Sequence, residues 1–341
     1  MHRTLRRRGA AAAGLPAALA AVALALSACG SGSDSGPNSG SSPGSENGRT
    51  SGSGAGTHTV QTAMGDVTVK DHPQRVVVLD TAELDSAITL GVRPVGATHA
   101  DVATGFLDYL PKDKVSGIKD VGRIAAPNLE AIAGLKPDLI LTNKDRDATR
   151  YKELSKIAPT VMTGATGYPW KANFATHAAA LGKSDQARKV VADYLAHAKR
   201  VTAALGGEAR AAATEVNVVR FVEGANIRVY GRQNYIGTLL ADVGLGRPAI
   251  VDKAKDGFSY DVSPEQIDKA DADAVFTSTY GDPRKSKETQ ATGSALWKNM
   301  KAVKNGRVFK VDDQLWIQGI GYTAADKILD ELRADLAKGR S

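Results

Sequence analysis

Arginine and tyrosine side chains around one apolar predicted strand are the first candidates for chemistry. The strand is Val216–Val222, and Arg220 lies inside it between two apolar residues. Because a charged group is costly to bury without a partner, Arg220 either faces a polar cleft or forms an internal ion pair, for example with Glu223. Arg228 and Tyr230 follow in a short segment predicted to form a hairpin with this strand. Guanidinium groups donate strong hydrogen bonds to oxygen acceptors, so these strands predict a site for an oxygen-rich ligand.

Four further candidates lie near the ends of other predicted elements. Tyr280, Trp316 and His99 come at or after the carboxyl ends of predicted strands, and Trp170 comes just before the longest predicted helix. Ligands of open α/β sheets collect at the carboxyl ends of parallel strands, which makes these side chains candidates for a binding cleft. For the aromatic residues, ordinary core packing is the alternative interpretation.

A bare-metal site and an enzyme active site are the alternatives to a ligand-binding cleft. Five histidines are available to a bare metal ion, and none of their spacings forms a metal-ligand motif: His58, His72, His99, His177 and His197. Gly319-Ile320-Gly321 with Ala324 resembles part of a dinucleotide fingerprint, but only 17 residues follow it, too few for the rest of that unit. The folded part has no P-loop, HExxH motif or nucleophile elbow, so the sequence does not favour an enzyme.

The single cysteine, Cys29, closes a secretory signal. Residues 1–28 begin with the basic stretch MHRTLRRR and continue with an apolar run. Leu26-Ser27-Ala28-Cys29 resembles the bacterial lipobox, which implies cleavage before Cys29, its lipidation and anchoring on the outer face of the cell membrane. The alternative is a plain signal peptide with a chance cysteine. Residues 29–56 are then the lipidated cysteine and a flexible linker, with 20 Gly, Ser or Pro in the 27 positions after Cys29.

Composition and charge exclude several protein classes. The 341 residues are 42% hydrophobic and 24% charged, which excludes a disordered or fibrous protein. A lone cysteine excludes an intrachain disulfide and a cysteine-based zinc or iron–sulfur site. The net charge is +7, but removing the four signal-peptide arginines leaves 40 basic against 37 acidic residues, or +3. This near balance does not indicate a nucleic-acid partner.

Short apolar runs alternate with helical segments through the rest of the chain, which predicts the α/β class with mostly parallel sheets. The predicted strands are Arg75–Leu79, Val92–Ala97, Leu139–Thr142, Thr160–Met162, Val216–Val222, Ala274–Thr277 and Val308–Val311, after a hairpin at His58–Val69. A helix over Ser184–Leu205, roughly 33 Å long, interrupts the alternation. Two weak internal repeats, one with a constant offset of 135 residues, predict two similar Rossmann-like lobes joined by one long rigid helix with a cleft between them. The predicted boundaries are 57–169 for the N-terminal lobe, 170–207 for the linking helices and 208–341 for the C-terminal lobe.

An ordered set of motifs resembles the iron-siderophore and cobalamin binding proteins of ABC importers. The motifs are His72-Pro73-Gln74-Arg75-Val76, Leu90-Gly91-Val92-Arg93-Pro94, Pro127-Asn128-Leu129-Glu130, Leu135-Lys136-Pro137-Asp138 and Leu296-Trp297-Lys298-Asn299. The resemblance runs from about residue 60 to 335 and implies a monomeric binding protein that delivers a ferric siderophore to a permease dimer with its ATPase. It implies no cofactor of the protein's own, since the ligand carries the Fe(III). A bare metal ion, haem or cobalamin is the alternative ligand, and a secreted enzyme is a more distant alternative.

The resemblance also assigns roles to individual residues. A VVRF-like strand in the family carries a ligand arginine, which corresponds to Arg220, and some hydroxamate-binding relatives carry an arginine one position away from Arg123. One glutamate in each lobe pairs with permease arginines in the family, and Glu130 and Glu265 stand at these motifs. Few isolated arginines at strand ends, together with several Tyr and Trp residues, favour a hydroxamate over a catecholate siderophore.

Overall fold

The structure is a computed structural model that describes residues 56–103 and 105–337. The predicted signal peptide, Cys29 and the linker up to residue 55 lie outside the described residues. No helix within the described ranges is long and apolar enough to cross a membrane.

Thirteen strands in the described ranges form three sheets. The strands are β1 Thr57–Thr62, β2 Gly65–Lys70, β3 Val76–Val78, β4 Gly96–His99, β5 Lys119–Arg123, β6 Ala126–Pro127, β7 Leu139–Asn143, β8 Thr160–Thr163, β9 Val216–Val222, β10 Ile227–Tyr230, β11 Ser259–Val262, β12 Ala274–Tyr280 and β13 Val308–Lys310. β1 and β2 form the predicted antiparallel hairpin. The first large sheet has the order β6-β5-β4-β3-β7-β8, and the second has the order β11-β10-β9-β12-β13.

The two large sheets confirm the α/β class but differ in strand direction. In the first sheet every pair is parallel except β5 with β6. In the second sheet β12 is parallel to both β9 and β13, whereas β10 runs antiparallel to β9 and to β11. The second sheet is therefore mixed rather than mostly parallel. The antiparallel β9–β10 pair is the predicted hairpin that carries Arg220 and Arg228.

The helices surround these sheets. They are α1 Thr81–Thr89, α2 Lys112–Val115, α3 Leu129–Gly134, α4 Lys144–Asp147, α5 Tyr151–Ile157, α6 Trp170–Ala180, α7 Ser184–Ala204, α8 Glu208–Ala213, α9 Tyr235–Asp242, α10 Glu288–Gly293, α11 Ala295–Asn299, α12 Lys301–Lys304 and α13 Tyr322–Ala337. Shorter 3-10 turns lie at Ala148–Arg150, Ala249–Lys253 and Pro264–Ala270, and a π-helical turn lies at Gln314–Gln318. The predicted long helix is present as α7.

One predicted strand is displaced. The pattern placed a strand at Val92–Ala97, but β4 spans Gly96–His99. The amide of Val92 donates to the carbonyl of Ala87 and so closes α1, and Pro94 has no amide hydrogen to give to a sheet. The apolar residues before Gly96 therefore belong to the turn that leaves the helix.

Both predicted repeats correspond to equivalent elements of the structure. α1 and α9 each end at a glycine with a positive φ, Gly91 at 71° and Gly244 at 77°, a conformation that glycine adopts without steric cost. β7 begins at Leu139 and β12 at Ala274, which is the predicted offset of 135 residues. The repeated segments of the two halves therefore form equivalent strands, one in each large sheet.

An aromatic cluster joins four helices behind these strand ends. Trp170 on α6 contacts the rings of Tyr194 on α7, Tyr235 on α9 and Tyr322 on α13, with centroid distances of 5.9, 5.2 and 4.6 Å. Edge-to-face and tilted contacts of this kind fix the relative orientations of the buried rings. α7 is therefore packed against helices from both halves of the chain.

Candidate functional site

A cavity of about 380 Å³ lies between loops of the first sheet and strands of the second. Arg146 and Tyr168 line it from the first-sheet side, and Arg220, Arg228 and Tyr230 line it from the second-sheet side. The structure therefore brings together four of the predicted ligand residues: Arg220, Arg228 and Tyr230 from β9 and β10, and Trp316 from the π-helical turn. We call this space the first cavity.

Arg220 is held by a buried carboxylate. Its Nε donates to Oδ1 of Asp313 at 2.7 Å and its Nη2 donates to Oδ2 at 2.6 Å. The Arg220 side chain is 13% exposed and that of Asp313 is 8% exposed. Arg220 therefore forms an internal ion pair, but its partner is Asp313 and not Glu223, which pairs with Lys285. The pair uses one edge of the guanidinium, and the rest of the Arg220 side chain lies beside Tyr230 at the cavity wall.

The β9–β10 pairing places Arg228 beside Arg220. The two residues are directly opposite in the antiparallel register, so both side chains point to the same face of the sheet. Buried Arg247, from the predicted Arg-Pro turn, donates from Nη2 to the carbonyl of Tyr230 at 2.5 Å and from Nε to that of Val216 at 2.7 Å. Burial raises the pKa of Tyr230. Tyr230 therefore presents a neutral phenol next to the two guanidinium groups.

Arg146 faces the same cavity and was missed by the sequence analysis. It lies in α4, directly after β7, and its Nε donates to Oδ2 of Asp80 at 2.8 Å. Asp80 follows β3, the neighbouring strand, and is buried. The strand-end rule applied to the charged run Lys144-Asp145-Arg146-Asp147 would have found this arginine.

Two aromatic side chains at the cavity were also missed. Tyr168 is 52% exposed and Phe258 is 40% exposed, although both line the cavity. The backbone amide of Thr166 donates to Oδ2 of Asp145 at 2.9 Å, which holds the turn that carries Tyr168. Exposed aromatic faces at a cavity suit the apolar shell of an organic ligand. No strand pattern marked either residue, because both lie in loops.

A second cavity of about 450 Å³ adjoins the first and contains Tyr280. Asp313 and Gln318 line this second cavity, and Asp313 binds Arg220, which lines the first. The Arg220–Asp313 pair therefore stands at the boundary of the two cavities. The Arg220 guanidinium lies 5.2 Å from the centroid of the Tyr280 ring, within the range of a cation–π interaction.

The two predicted tryptophans lie behind the cleft surface. Trp316 lines the first cavity but is fully buried, with its ring stacked on Phe276 at 4.7 Å and its indole N–H donating to Glu331. Trp170 belongs to the aromatic cluster, and its indole N–H donates to Thr238 at 2.8 Å. The structure thus places both rings in packed surroundings.

His99 and Arg123 lie away from the first cavity. His99 Nδ1 is 2.9 Å from Oδ1 of Asp120 on the neighbouring strand, and this contact together with the Gly122 amide outweighs burial and lowers the pKa of Asp120. Arg123 is exposed, and its Nη2 is 3.7 Å from Oδ1 of Asp101, which lines the second cavity. Neither side chain is among those that line the two cavities.

Glu130 and Glu265 are both exposed at the starts of equivalent elements. Glu130 lies in the first turn of α3, which Asn128 caps by accepting from the Ala131 amide. Glu265 follows Pro264 at the start of a 3-10 helix rather than an α-helix. Hydrogen bonds from its own amide and from Ser263 lower the pKa of Glu265.

The site chemistry is that of recognition by hydrogen bonds and aromatic contact. Arg146 and Arg220 each keep a buried carboxylate partner, and Arg228 has no ion pair within the described part of the chain. No group of three or more His, Cys, Asp or Glu side chains in residues 56–103 and 105–337 could hold a metal ion. The guanidinium groups therefore suit an oxygen-bearing organic ligand.

Comparisons with known proteins agree with this geometry. Residues 76–315 match the family described as periplasmic binding protein. The chain is 38% identical over 296 residues to the probable siderophore-binding lipoprotein YfiY of Bacillus subtilis, covering 84% of this chain and 90% of that protein. It is 30% identical over 283 residues to the iron(3+)-hydroxamate-binding protein FhuD of the same organism, covering 81% of this chain and 83% of that one. It also superposes with a TM-score of 0.75 on Staphylococcus aureus SirA complexed with staphyloferrin B, at 33% identity and covering 82% of this chain and 98% of that chain.

Proposed function

The chain belongs to the periplasmic binding protein family, and from that premise we propose that it captures a ferric siderophore outside the cell and delivers it to an ABC importer. The observation that carries the proposal is the first cavity, where three arginines and a buried tyrosine meet two exposed aromatic side chains. Guanidinium and phenol groups donate to the iron-bound oxygens, while Tyr168 and Phe258 contact the organic shell. The iron is cargo held by the siderophore, so the protein needs no cofactor of its own and performs no catalysis.

The charge of the cleft favours a hydroxamate siderophore. Asp80 and Asp313 pair with Arg146 and Arg220, and Asp145 adds a third negative charge at the cavity wall against the three arginines. A ferric trihydroxamate is close to neutral, whereas a ferric triscatecholate carries about three negative charges and would leave charge uncompensated here.

Membrane attachment and the partners complete the proposal. Cys29 is the proposed lipidation site, and the Gly/Ser-rich segment after it is the tether to the outer face of the cell membrane. The exposed Glu130 and Glu265 are the proposed contacts to the two permease subunits, whose ATPase drives import. The monomer is the proposed working unit.

Tryptophan fluorescence quenching tests the function. Trp316 backs the first cavity, and Trp170 contacts Tyr235, which also lines it, so an iron chelate bound there quenches emission. We expect quenching by a ferric hydroxamate such as ferrioxamine B, weaker quenching by a ferric catecholate, and none by cobalamin or haem at equal absorbance. Tight binding of free Zn²⁺ or Mn²⁺ without binding of any iron chelate would refute the proposal and support a bare-metal carrier.

The Arg220–Asp313 pair provides a sharper test of the site. Replacing both partners, Arg220→Gln with Asp313→Asn, removes the two charges together and leaves no unpaired buried ion. We expect the affinity for the siderophore identified by quenching to fall about 10-fold to 100-fold, the loss of one or two charged hydrogen bonds. The control pair is Arg232→Gln with Asp252→Asn, which removes an exposed ion pair. If Arg220→Gln alone lowers the melting temperature strongly while the double variant binds normally, the pair is structural only.

A further inference from the structure

A buried polar cluster lies directly behind Arg146. Asn143 donates from Nδ2 to Oδ2 of Asp80 at 3.1 Å and to Oε1 of Glu83 at 3.2 Å. His177 Nε2 lies 3.6 Å from the same Glu83 oxygen. All four side chains are buried, and Asp80 is the residue that accepts from Arg146. We call Asp80, Glu83, Asn143 and His177 the proton cluster.

The hydrogen bonding of this cluster is incomplete. Within the described residues, Glu83 Oε2, Asn143 Oδ1 and His177 Nε2 have no hydrogen-bond partner although each atom is buried. His177 Nδ1 is engaged by the Ser86 hydroxyl at 2.9 Å. Buried polar atoms without partners are costly, so their retention around one carboxylate requires an explanation. A proton placed on the His177 ring would convert the 3.6 Å contact into an attractive ion pair.

The charges lead to the same conclusion. Three buried carboxylates, Asp80, Glu83 and Asp147, meet two guanidinium groups, Arg146 and Arg150. The amino end of α1 offsets part of the remaining negative charge near Asp80. An uncompensated charge in such surroundings is unfavourable, so the group is most stable when it holds one further proton.

The other elements that pack against α6 engage their titratable groups elsewhere. His58 on β1 contacts Asp71 at 2.8 Å and the carbonyl of Ala179 at 2.8 Å. Tyr194 on α7 donates to Asp242 at 2.6 Å. β8 contributes threonine hydroxyls, which do not titrate. The groups that face His177 from α1 and from the β7–α4 segment therefore dominate its surroundings.

We propose that the proton cluster positions Arg146 and sets its charge toward the cleft, so that the protein holds its ligand more tightly when the cluster is protonated. Each proton added reduces the negative charge behind Arg146 and leaves more of its positive field for the iron-bound oxygens. By reciprocity, a bound oxygen-rich ligand increases the affinity of the cluster for protons. Ligand retention therefore strengthens as the pH falls. In its ligand-binding part the inference rests on the proposed function.

A ligand-free titration tests the coupling itself. The Asp80 carboxyl is followed by ¹³C NMR from pH 4 to 9 in the wild-type protein and in Arg146→Gln, whose amide can still donate to Asp80. Burial raises the pKa of Asp80 and Arg146 lowers it, so removing the positive charge is expected to move the titration midpoint of this carboxyl upward. Arg228→Gln, which removes a cleft arginine that does not contact the cluster, is the control and leaves the midpoint in place. A carboxyl that does not titrate, or an unmoved midpoint in Arg146→Gln, overturns the proposal.

Ligand binding tests the consequence. The probe is ferrichrome, an uncharged ferric trihydroxamate with no titrating group between pH 5.5 and 7.5. We expect its Kd to be about fivefold lower at pH 5.5 than at pH 7.5, and this ratio to fall close to one in His177→Gln. An equal pH dependence in the two proteins contradicts the proposal. If ferrichrome binds neither protein, the hydroxamate assignment fails, while the ligand-free titration still decides whether the cluster and Arg146 are coupled.

Discussion

Reversing the charge of Glu130 and Glu265 together is expected to abolish siderophore-dependent iron uptake while leaving the affinity for the siderophore unchanged. Both carboxylates are exposed, and neither lines the two cavities. They stand at the starts of elements that the 135-residue offset relates, so each half of the chain exposes one acidic group, as the proposed docking to a two-fold permease requires. Placing like charges opposite each other at an interface costs several kcal/mol, which is enough to prevent productive docking.

The alternative is that these glutamates only stabilise the first turns of their helices. An acidic residue in a first turn contributes about 0.3–1 kcal/mol through the helix dipole, too little to affect transport. Glu153→Arg with Glu208→Arg is the matched control, because both residues are exposed and lie in the first turns of α5 and α8. Uptake is measured with ⁵⁵Fe-loaded siderophore in cells that carry each variant. Normal transport by the Glu130→Arg, Glu265→Arg protein would show that the two residues do not contact the permease and only stabilise the helix starts.

The fold was predictable because its signals are local. Apolar runs of three to seven residues marked β3, β7, β8, β9, β12 and β13, and the 3.6-residue periodicity marked α7. The signals failed where a strand has no apolar run of its own. The sequence of β5 is Lys-Asp-Val-Gly-Arg and that of β11 is Ser-Tyr-Asp-Val. Both segments form strands because they pair with a neighbouring strand, not because their own hydrophobic pattern favours one.

Apart from Trp316, the site was predictable only where its residues lie on strands. Arg220, Arg228 and Tyr230 share the β9–β10 pair, whose register follows from alternation. Arg146 reaches the same cavity from the short helix α4 and Tyr168 reaches it from a loop, and the position of Arg146 depends on its long-range contact with Asp80. The partner of Arg220 shows the same limit, because Asp313 is 93 residues away in sequence whereas Glu223 is three residues away. Proximity in sequence therefore suggested Glu223 as the partner of Arg220, whereas the actual partner is Asp313.

A second large effect is expected at Asp85, a fully buried carboxylate on α1 that lies outside both cavities. It accepts from the Tyr109 hydroxyl at 2.9 Å, from the Thr89 hydroxyl at 3.0 Å, and from the amides of Thr323 and Ala324 at 3.1 and 3.2 Å. The last two belong to the first turn of α13, so a side chain from α1 caps a helix more than 230 residues away in sequence. Asp85 therefore ties the end of the chain to its first helix.

Asp85→Ala is expected to lower the free energy of unfolding by about 3–5 kcal/mol, because it leaves several buried donors without an acceptor. For a chain of this size the melting temperature falls by roughly 6–15 °C. Circular dichroism melts at pH 7 provide the measurement. The control is Asp66→Ala, at an exposed position in the β1–β2 hairpin, and it is expected to melt within about 1–2 °C of wild type. A similar melting temperature for Asp85→Ala would show that solvent or rearranged donors replace the cap.

The pH dependence of this effect separates the charge of Asp85 from its shape. Burial raises the pKa of Asp85 to about 6, even though four donors favour the ionised form. The native state therefore holds this proton more tightly than the unfolded chain does, and the stability contributed by the protonated group is lost as the pH rises from about 4 through 6. Asp85→Asn keeps the shape of the neutral carboxyl and does not titrate. The melting temperature of wild type minus that of Asp85→Asn should therefore fall between pH 4 and pH 7. If this signed difference rises instead, the four donors outweigh burial and the ionised carboxylate is the stabilising form.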